Sequence, residues 1–152
     1  MALPTVISTC SFCVEVMTGG TTFTDFSDEL SVLSAPSQAR MNAPGYVFGE
    51  SAPMISYGKR EPMEVVVRGV YQEATTSLFY KAHVSFTTAC GELFAIAYSP
   101  GGCTTDNRRL RTSTTVARIT NLVYPEGDAS SAEVMMWEAT ILTDELTESV
   151  WA

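Results

Sequence analysis

The pattern in this sequence closest to a metal or redox site is Cys10-Ser-Phe-Cys13. Two cysteines separated by two residues can bind zinc or exchange a disulfide when a turn brings both thiols to one side. Here the surrounding apolar residues alternate as in a β-strand, and positions three apart on a strand point to opposite faces. No second pair with this spacing occurs in the sequence. The pattern therefore favours two structural cysteines over a metal or redox centre.

Acid–base chemistry by a histidine would depend on His83, the only histidine of the chain. It falls in a predicted helix beside Ala82 and Val84, which is typical of a structural or solvated side chain. The sequence has no Gly-x-Ser-x-Gly, Gly-x-Gly-x-x-Gly or P-loop motif. We therefore expect no enzymatic activity, no catalytic residues, no cofactor and no metal ligands.

The charge of the chain is lopsided, with 17 acidic and 9 basic residues and a net charge of -8. A surface that grips nucleic acid needs clustered Lys and Arg side chains. The one basic cluster, Arg108-Arg109-Leu-Arg111, can bind phosphate, contact an acidic patch on another subunit or simply be solvated. The acidic segments 25–29 and 144–148 are interleaved with bulky apolar residues, so they are either solvated or docking segments.

The length of 152 residues predicts a single domain, 1–152, that buries roughly 70% of the surface of the unfolded chain. No segment has the roughly 18 consecutive apolar residues of a membrane span. The first residues lack the basic and apolar regions of a secretion signal. We therefore expect a reducing cytoplasm and free thiols at Cys10, Cys13, Cys90 and Cys103.

The clearest structural element is the stretch 58–71, predicted as a charged turn up to Pro62 followed by a strand. Met63, Val65 and Val67 share one face by the two-residue period of a strand, whereas Glu64 and Arg68 lie on the other. Such a strand belongs to a sheet with one side packed on a core and the other side wet or in contact with a partner.

The remaining elements are mostly strands. They are predicted at 5–17, 30–33, 93–98, 112–124 and 132–143, the last with Met135, Trp137, Ala139 and Ile141 on one face. One helix is expected at about residues 76–90, capped by Thr75 or Thr76 and ended by Gly91. Residues 34–58 are predicted as a long loop or extended hairpin with a short strand at 46–48, and 144–152 as an acidic tail. This order predicts a mainly β fold, an antiparallel sandwich or barrel with one flanking helix.

Several segments, taken in order, resemble the tail tube proteins of long-tailed bacteriophages. They are Thr24-Asp-Phe-Ser-Asp-Glu-Leu30, Gly58-Lys-Arg-Glu-Pro-Met-Glu-Val65, Tyr98-Ser-Pro-Gly-Gly102, Tyr124-Pro-Glu-Gly-Asp-Ala-Ser-Ser-Ala-Glu133 and Thr140-Ile-Leu-Thr-Asp-Glu-Leu-Thr-Glu148. The resemblance covers the chain from about Thr21 onward. It implies an antiparallel β-sandwich or half-barrel, related in fold to the type VI secretion tube protein.

The resemblance also implies a function. Such proteins are structural virion proteins that assemble in the host cytoplasm into hexameric rings, which stack into the hollow tube of the tail. The implied partners are other copies of the chain and the tail terminator, tape measure and distal tail proteins. Double-stranded DNA passes through the tube without specific binding, and a net acidic lumen repels its phosphates. The family has no catalytic residues to carry over.

Two sets of residues are candidates for roles in such an assembly. Charges that face the lumen or a neighbouring subunit are predicted at Glu64, Arg68 and Glu138. Contacts between subunits are predicted at Phe23, Phe26, Arg108, Arg109, Arg111 and Trp151. The segment 34–58 is expected to be an arm that reaches a neighbouring ring or subunit, and 144–152 an interacting tail.

Two alternative functions agree with the same sequence. A tail terminator or connector of related fold would form a single ring and no filament. A monomeric β-barrel could instead bind a small apolar ligand beside the cluster Met135, Met136 and Trp137.

Overall fold

A computed structural model describes residues 11–19, 22–34, 36–104, 107–127, 129–130 and 134–150. Within these residues the chain forms eleven strands and one helix. Their bounds are β1 Cys13–Thr18, β2 Thr24–Asp25, β3 Leu30–Leu33, β4 Arg40–Gly45, β5 Met54–Arg60, β6 Met63–Val70, α1 Leu78–Thr87, β7 Phe94–Ser99, β8 Arg108–Thr112, β9 Arg118–Val123, β10 Met136–Thr143 and β11 Leu146–Val150.

Two antiparallel sheets enclose one hydrophobic core. The first has the order β11-β8-β7-β1-β2, the second has the order β3-β6-β10-β9, and β4 and β5 form a separate hairpin. An isolated bridge between Leu93 and Arg118 connects the start of β7 to β9. Among the described residues the sheets do not close into a barrel. The predicted fold, an antiparallel sandwich or half-barrel with one helix, is confirmed.

The centre of the second sheet follows the predicted alternation. Met63, Val65 and Val67 of β6 are buried, and Glu64 and Arg68 are exposed. In the antiparallel partner β10, the buried residues are Trp137, Ala139, Ile141 and Thr143. One face of this sheet therefore packs on the core and the other faces solvent, because side chains alternate along a strand.

Gly69 of β6 is required by the close approach of Trp137. A Cβ atom at this position would lie 2.9 Å from the carbonyl oxygen of Glu29 and 2.9 Å from the indole Nε1 of Trp137. That indole nitrogen donates a hydrogen bond of 3.3 Å to the carbonyl oxygen of Val70. The missing side chain thus leaves room beside β6 for the Trp137 indole, the largest fully buried side chain of the described residues.

The predicted helix is present and is slightly shorter than expected. Ser77, rather than Thr75 or Thr76, is its N-cap, and its hydroxyl accepts a 3.4 Å hydrogen bond from the Tyr80 N–H. The buried Glu29 carboxylate accepts a second bond of 2.9 Å from the Leu78 N–H. These two acceptors satisfy donors that the first turn of a helix leaves without intrahelical partners. After the helix ends, Cys90 and Gly91 adopt left-handed φ values of 62° and 69°.

Several sequence-based predictions of local structure are wrong. Residues 34–58 contain an extended hairpin, but its strands are β4 and β5, and the residues 46–48 predicted as a strand lie in the connecting loop. The predicted turn at 58–62 is largely the end of β5. The predicted strand 112–124 begins too early, because Thr112 is the last residue of β8 and a turn separates it from β9, which starts at Arg118. The acidic tail continues as β11, which pairs with β8 of the same chain.

The prediction of free thiols is wrong for two of the four cysteines. Cys13, at the start of β1, forms a disulfide with Cys103 in the loop between β7 and β8. Cys90 is a free, exposed cysteine, and Cys10 lies outside the described residues. Because Cys13 is bonded to Cys103, the Cys10–Cys13 pair does not act as a zinc or redox pair in this state.

Candidate assembly surfaces

The solvent-facing side of the second sheet brings together the three predicted charges. We call this surface, formed by the outward side chains of β3, β6, β10 and β9, the open sheet face. Glu138 of β10 is registered opposite Arg68 of β6, and Arg68 is in turn registered opposite Val32 of β3. Glu64 lies further along β6, opposite Leu142. The face mixes charged, threonine and aliphatic side chains, so it suits contact with water rather than a dry core.

The two edges of this sheet are formed by β3 and β9. Among the described residues, each of these two strands pairs with one other strand of the second sheet. β9 has one further contact, the isolated bridge that joins Arg118 to Leu93. Val32 on β3 and Asn121 and Val123 on β9 are exposed. Unpaired strand edges can pair with strands of another chain, and isolated proteins usually block them. The edges of the open sheet face are therefore candidate contacts between copies.

The hairpin of β4 and β5, which we call the arm, carries apolar side chains into solvent. Both strands are exposed along nearly their whole length. Its exposed large apolar residues are Met41, Tyr46, Val47, Phe48, Met54, Ile55 and Tyr57. Sequence reasoning predicted a long loop or extended hairpin in this segment but did not single out these residues. A signal was present, since Met54 and Ile55 put apolar side chains on both faces of one strand.

The root of the arm is fixed to the body of the subunit. The Gln38 side-chain amide donates hydrogen bonds to the carbonyl oxygens of Asp144 (2.5 Å) and Glu61 (2.8 Å). Arg60 forms a 2.5 Å salt bridge with Glu145. Asp144 and Glu145 form the turn that follows β10. The arm therefore leaves the body at the end of the second sheet where β10 stops and β6 starts.

A smaller apolar surface lies at the opposite end of the same sheet. We call it the strand-end patch, and it consists of Tyr124, Val134 and Met135, which are 46%, 66% and 46% exposed. Tyr124 follows β9, and Met135 precedes β10 and accepts a 3.0 Å hydrogen bond from the Tyr71 N–H. The Tyr124 hydroxyl lies 3.0 Å from His83 Nδ1. Sequence reasoning missed this patch, because its members come from different segments.

The predicted arginine cluster lies in β8, and its members make contacts within the subunit. Arg109 forms a 3.0 Å salt bridge with Glu15, with side chains only 17% and 13% exposed, and its guanidinium lies 4.7 Å from the ring centre of Phe23. Burial raises the pKa of the Glu15 carboxyl, while the Arg109 charge opposes that shift. Arg108 pairs with Glu148 of β11 at 2.8 Å.

The other predicted contact residues are placed differently. Arg111 donates a 3.4 Å hydrogen bond to the Thr147 hydroxyl. Phe26 is 8% exposed and belongs to the core of its own subunit, so little of its surface is available to a neighbouring subunit. Trp151 lies outside the described residues. The positions of these residues in a single subunit do not test contacts between subunits, so the predicted contacts stay predictions.

The described part of the chain holds no group of three or more His, Cys, Asp or Glu side chains placed to bind a metal ion. In the same residues, no helix is long and apolar enough to cross a membrane. The residues Met135, Met136 and Trp137 do not form one exposed cluster, because Trp137 is buried at 1% exposure whereas Met135, which precedes β10, is 46% exposed.

No protein-family model matches the chain, and no curated protein matches it in sequence. Solved structures match over nearly the whole length. A chain of the six-fold symmetrised anti-feeding prophage baseplate has a TM-score of 0.77 at 12% identity, covering 99% of this chain and 98% of that chain. A chain of the sheath/tube terminator of an extracellular contractile injection system, PVC, in the extended state has a TM-score of 0.74 at 19% identity, covering 98% and 100%.

A third match comes from the tail of an empty GTA particle, obtained by helical refinement with C6 symmetry. It has a TM-score of 0.63 at 12% identity and covers 97% of this chain and 100% of that chain. At such identities the matches establish the fold. The predicted resemblance to tail tube proteins is therefore confirmed at the level of the fold.

Proposed function

We propose that this chain is a structural tail protein whose copies form hexameric rings that stack into a hollow tail tube. The observation that supports this most strongly is the match of its whole fold to chains of a baseplate, a sheath/tube terminator and a six-fold symmetric tail. The tube is a conduit for the genome during ejection. Its partners are further copies, the tail terminator, the tape measure protein and the distal tail protein, and its location is the virion tail after assembly in the host cytoplasm.

Ring formation follows from the two unpaired edges of the second sheet. When β3 of one copy pairs with β9 of the next, six four-stranded sheets join into one closed barrel, and closure removes the exposed edges. Barrels of about 16–18 strands already enclose an aqueous channel. With about 4.8 Å between strands and a tilt of about 40°, 24 strands give a backbone diameter of roughly 48 Å. Such a lumen is wide enough for a DNA duplex.

The open sheet face becomes the wall of this lumen. Glu64, Arg68 and Glu138 contribute two carboxylates and one guanidinium. Arg118 of β9, registered opposite the outward-facing Leu142, adds a second guanidinium, so these four charges cancel. Because the wall has no excess of positive charge, it offers DNA phosphates no stable contact and the genome slides through. No base-specific recognition is needed on this surface.

Native mass spectrometry and negative-stain electron microscopy of the purified protein test this proposal. We expect six-subunit rings and, at high protein concentration, tubes. Substitution of both edge residues, Val32→Lys and Val123→Lys, places like charges on the two pairing edges and should abolish rings. Val84→Lys, which alters an exposed valine on the helix, serves as the control and should assemble like the unmodified protein.

Each outcome separates the candidate functions. A protein that stays monomeric under all conditions would contradict the tube proposal. Single rings that never elongate would favour the terminator or connector alternative. Intact rings in the double edge variant would show that β3 and β9 are not the ring contact.

A further inference from the structure

Two segments that are distant in sequence bring Cys13 and Cys103 together in the fold. Cys13 begins β1, where it pairs with Ser99 at the end of β7. Cys103 follows Ser99 in the loop that leads from β7 to β8. The Cα atoms of the two cysteines are 5.6 Å apart, within the range found in protein disulfides. The pairing of β1 with β7 therefore places both thiols, and the backbone need not move for them to join.

The loop is held beside β1 by contacts that do not involve sulfur. The Asn107 side-chain amide donates a 3.1 Å hydrogen bond to the carbonyl oxygen of Gly102. Gly102 has a φ of 103°, and a Cβ atom there would lie 3.2 Å from the carbonyl oxygen of Ser11. The salt bridge between Arg109 and Glu15 ties β8 to β1 on the far side of the loop. We therefore expect the reduced subunit to keep the two thiols side by side.

The two thiols differ in their access to solvent. Cys13 is 7% exposed, whereas Cys103 is partly exposed in its loop. Thiol–disulfide exchange begins when a thiolate attacks a disulfide sulfur, so its rate depends on how readily the reagent reaches that thiol. Cys103 is therefore placed to react first with a dissolved disulfide. Cys13 is placed to react second, with the sulfur of Cys103.

We propose that the bond between Cys13 and Cys103 is a redox-sensitive bond that forms on the folded subunit, with Cys103 as the first thiol to react. It is open while the subunit assembles in the host cytoplasm and closed in the released virion. The two compartments come from the proposed function, on which this part of the inference rests. A cytoplasm keeps thiols reduced, and disulfides persist in oxidising surroundings.

The reaction proceeds in two balanced steps with a small organic disulfide, such as oxidised glutathione, as the oxidant. In the first step the Cys103 thiolate attacks one glutathione sulfur, the S–S bond of the reagent breaks, and one glutathione thiolate leaves. In the second step the Cys13 thiolate attacks the Cys103 sulfur and displaces the other glutathione. The two protons lost by the cysteines are taken up by the two leaving thiolates. Two electrons pass from the protein thiols to the reagent.

The position of the bond is compatible with the proposed ring. Cys13 and the loop of Cys103 belong to the first sheet, whereas the edges β3 and β9 belong to the second. The bond can therefore form or open without changing a residue of the proposed ring contact. Because a disulfide restricts the unfolded chain, its closure stabilises each subunit of a tube that is already assembled.

The order of the two thiols is tested on a chain with Cys10→Ser and Cys90→Ser, in which only Cys13 and Cys103 remain. The reduced protein is freed of reductant and treated with oxidised glutathione, and samples are quenched for mass spectrometry. We expect the internal disulfide, and in an added Cys13→Ser variant a stable glutathione adduct on Cys103. With Cys103→Ser instead, Cys13 should react at least about tenfold more slowly, because access limits the exchange.

Unfolding in concentrated guanidinium chloride is the control for access. There the two single-cysteine variants should react at similar rates, since neither thiol is covered. Closure of the internal disulfide should be at least about tenfold slower than in the folded subunit, because the two thiols are then the ends of a long flexible loop. Peptide mapping of the unmodified chain, with all four cysteines, should still find Cys13 joined to Cys103.

A second experiment tests the order of assembly and oxidation. Reduced protein should form rings and tubes in native mass spectrometry and negative-stain microscopy. Addition of oxidised glutathione to these tubes should close the bond in every subunit and leave the tubes intact. The midpoint of their dissociation in urea should then rise, and the double variant Cys13→Ser with Cys103→Ser should show no such rise.

The results that overturn this inference differ from those that overturn the proposed function. Equal reaction rates of the two single-cysteine variants in the folded state would refute the role of Cys103 as the first thiol. Closure no faster in the folded than in the unfolded chain, or a bond to Cys10 in the unmodified protein, would refute the redox-sensitive bond. Rings from oxidised but not from reduced protein would refute the order of events. If neither form gives rings, the proposed function fails, and the measurements on single subunits still decide the bond chemistry.

Discussion

The disulfide between Cys13 and Cys103 offers a test whose magnitude follows from the chain itself. The two residues are 90 positions apart in the sequence. Their bond ties the first described strand to the loop between β7 and β8, so it closes more than half of the chain into one loop. Replacement by Cys13→Ser and Cys103→Ser opens that loop without changing the pairing of β1 with β7.

The expected loss of stability comes from the unfolded chain. A cross-link across about 90 residues removes loop entropy worth about 4.6 kcal/mol at 25 °C in the chain-entropy model, and measured values are commonly about 2–4 kcal/mol. For a domain of this length, an unfolding entropy of about 2.1 cal/mol/K per residue converts 3 kcal/mol into a decrease in Tm of roughly 9 °C. We therefore expect a decrease of several degrees.

Urea and thermal unfolding of the unassembled protein, with and without reductant, measure this effect. The unmodified protein should lose stability on reduction, and the double serine variant should not respond to reductant. Cys90→Ser is the matched control, because this cysteine is free and exposed, and it should behave like the unmodified protein. Equal midpoints for the oxidised and reduced unmodified protein, or alkylation of Cys13 and Cys103 without prior reduction, would refute the reasoning.

Two further predictions concern the core and the buried ion pair. Gly69→Ala should reduce the free energy of unfolding by about 1–3 kcal/mol, because the added carbon overpacks against Trp137. Gly127→Ala is the control and should leave the free energy of unfolding unchanged, since its added carbon meets nothing within 4 Å. Equal urea midpoints for the two variants would contradict the packing argument. Because burial raises the pKa of Glu15 above its ordinary value of 4.5, this group favours the folded state most below that value, and its contribution is lost as the pH rises through the raised pKa. The stability of the unmodified protein relative to Glu15→Gln should therefore fall as the pH rises from 4.5 through the raised pKa, and urea unfolding that shows a rise would contradict the assignment.

The elements that the sequence predicted well are those with one buried face. β6 and β10 alternate cleanly because every second side chain enters the core, and β3 and β7 fall within one residue of their predicted positions. The helix was recognisable from the spacing of Leu78 and Ala82, which are both buried. In these segments local pattern and tertiary burial agree, so the sequence alone is sufficient.

The features that the sequence did not predict depend on contacts between distant segments. Arg109 lies in a strand because β8 pairs with β7 and β11, and its side chain contacts Glu15 and Phe23, which are both distant in sequence. The pairing of Cys13 with Cys103 likewise follows from the neighbouring positions of β1 and the loop after β7. The apolar residues of the arm have no partner within the subunit core, so burial periodicity gave no guide to its strands.

The same reasoning explains which parts of the candidate site could be predicted. Glu64, Arg68 and Glu138 were identified because they interrupt the exposed face of strands whose other face is apolar. The edges β3 and β9 and the two ends of the sheet become visible only when the strand order is known. The assembly surfaces are thus properties of the topology more than of any single motif.

Cryo-electron microscopy of tubes assembled from the purified protein tests the central claim most directly. Helical reconstruction should show six-fold symmetric rings in which β3 of one subunit pairs with β9 of the next. The side chains of Glu64, Arg68 and Glu138 should face the lumen. A reconstruction in which the open sheet face is buried between subunits or lies on the outside of the tube would contradict the account.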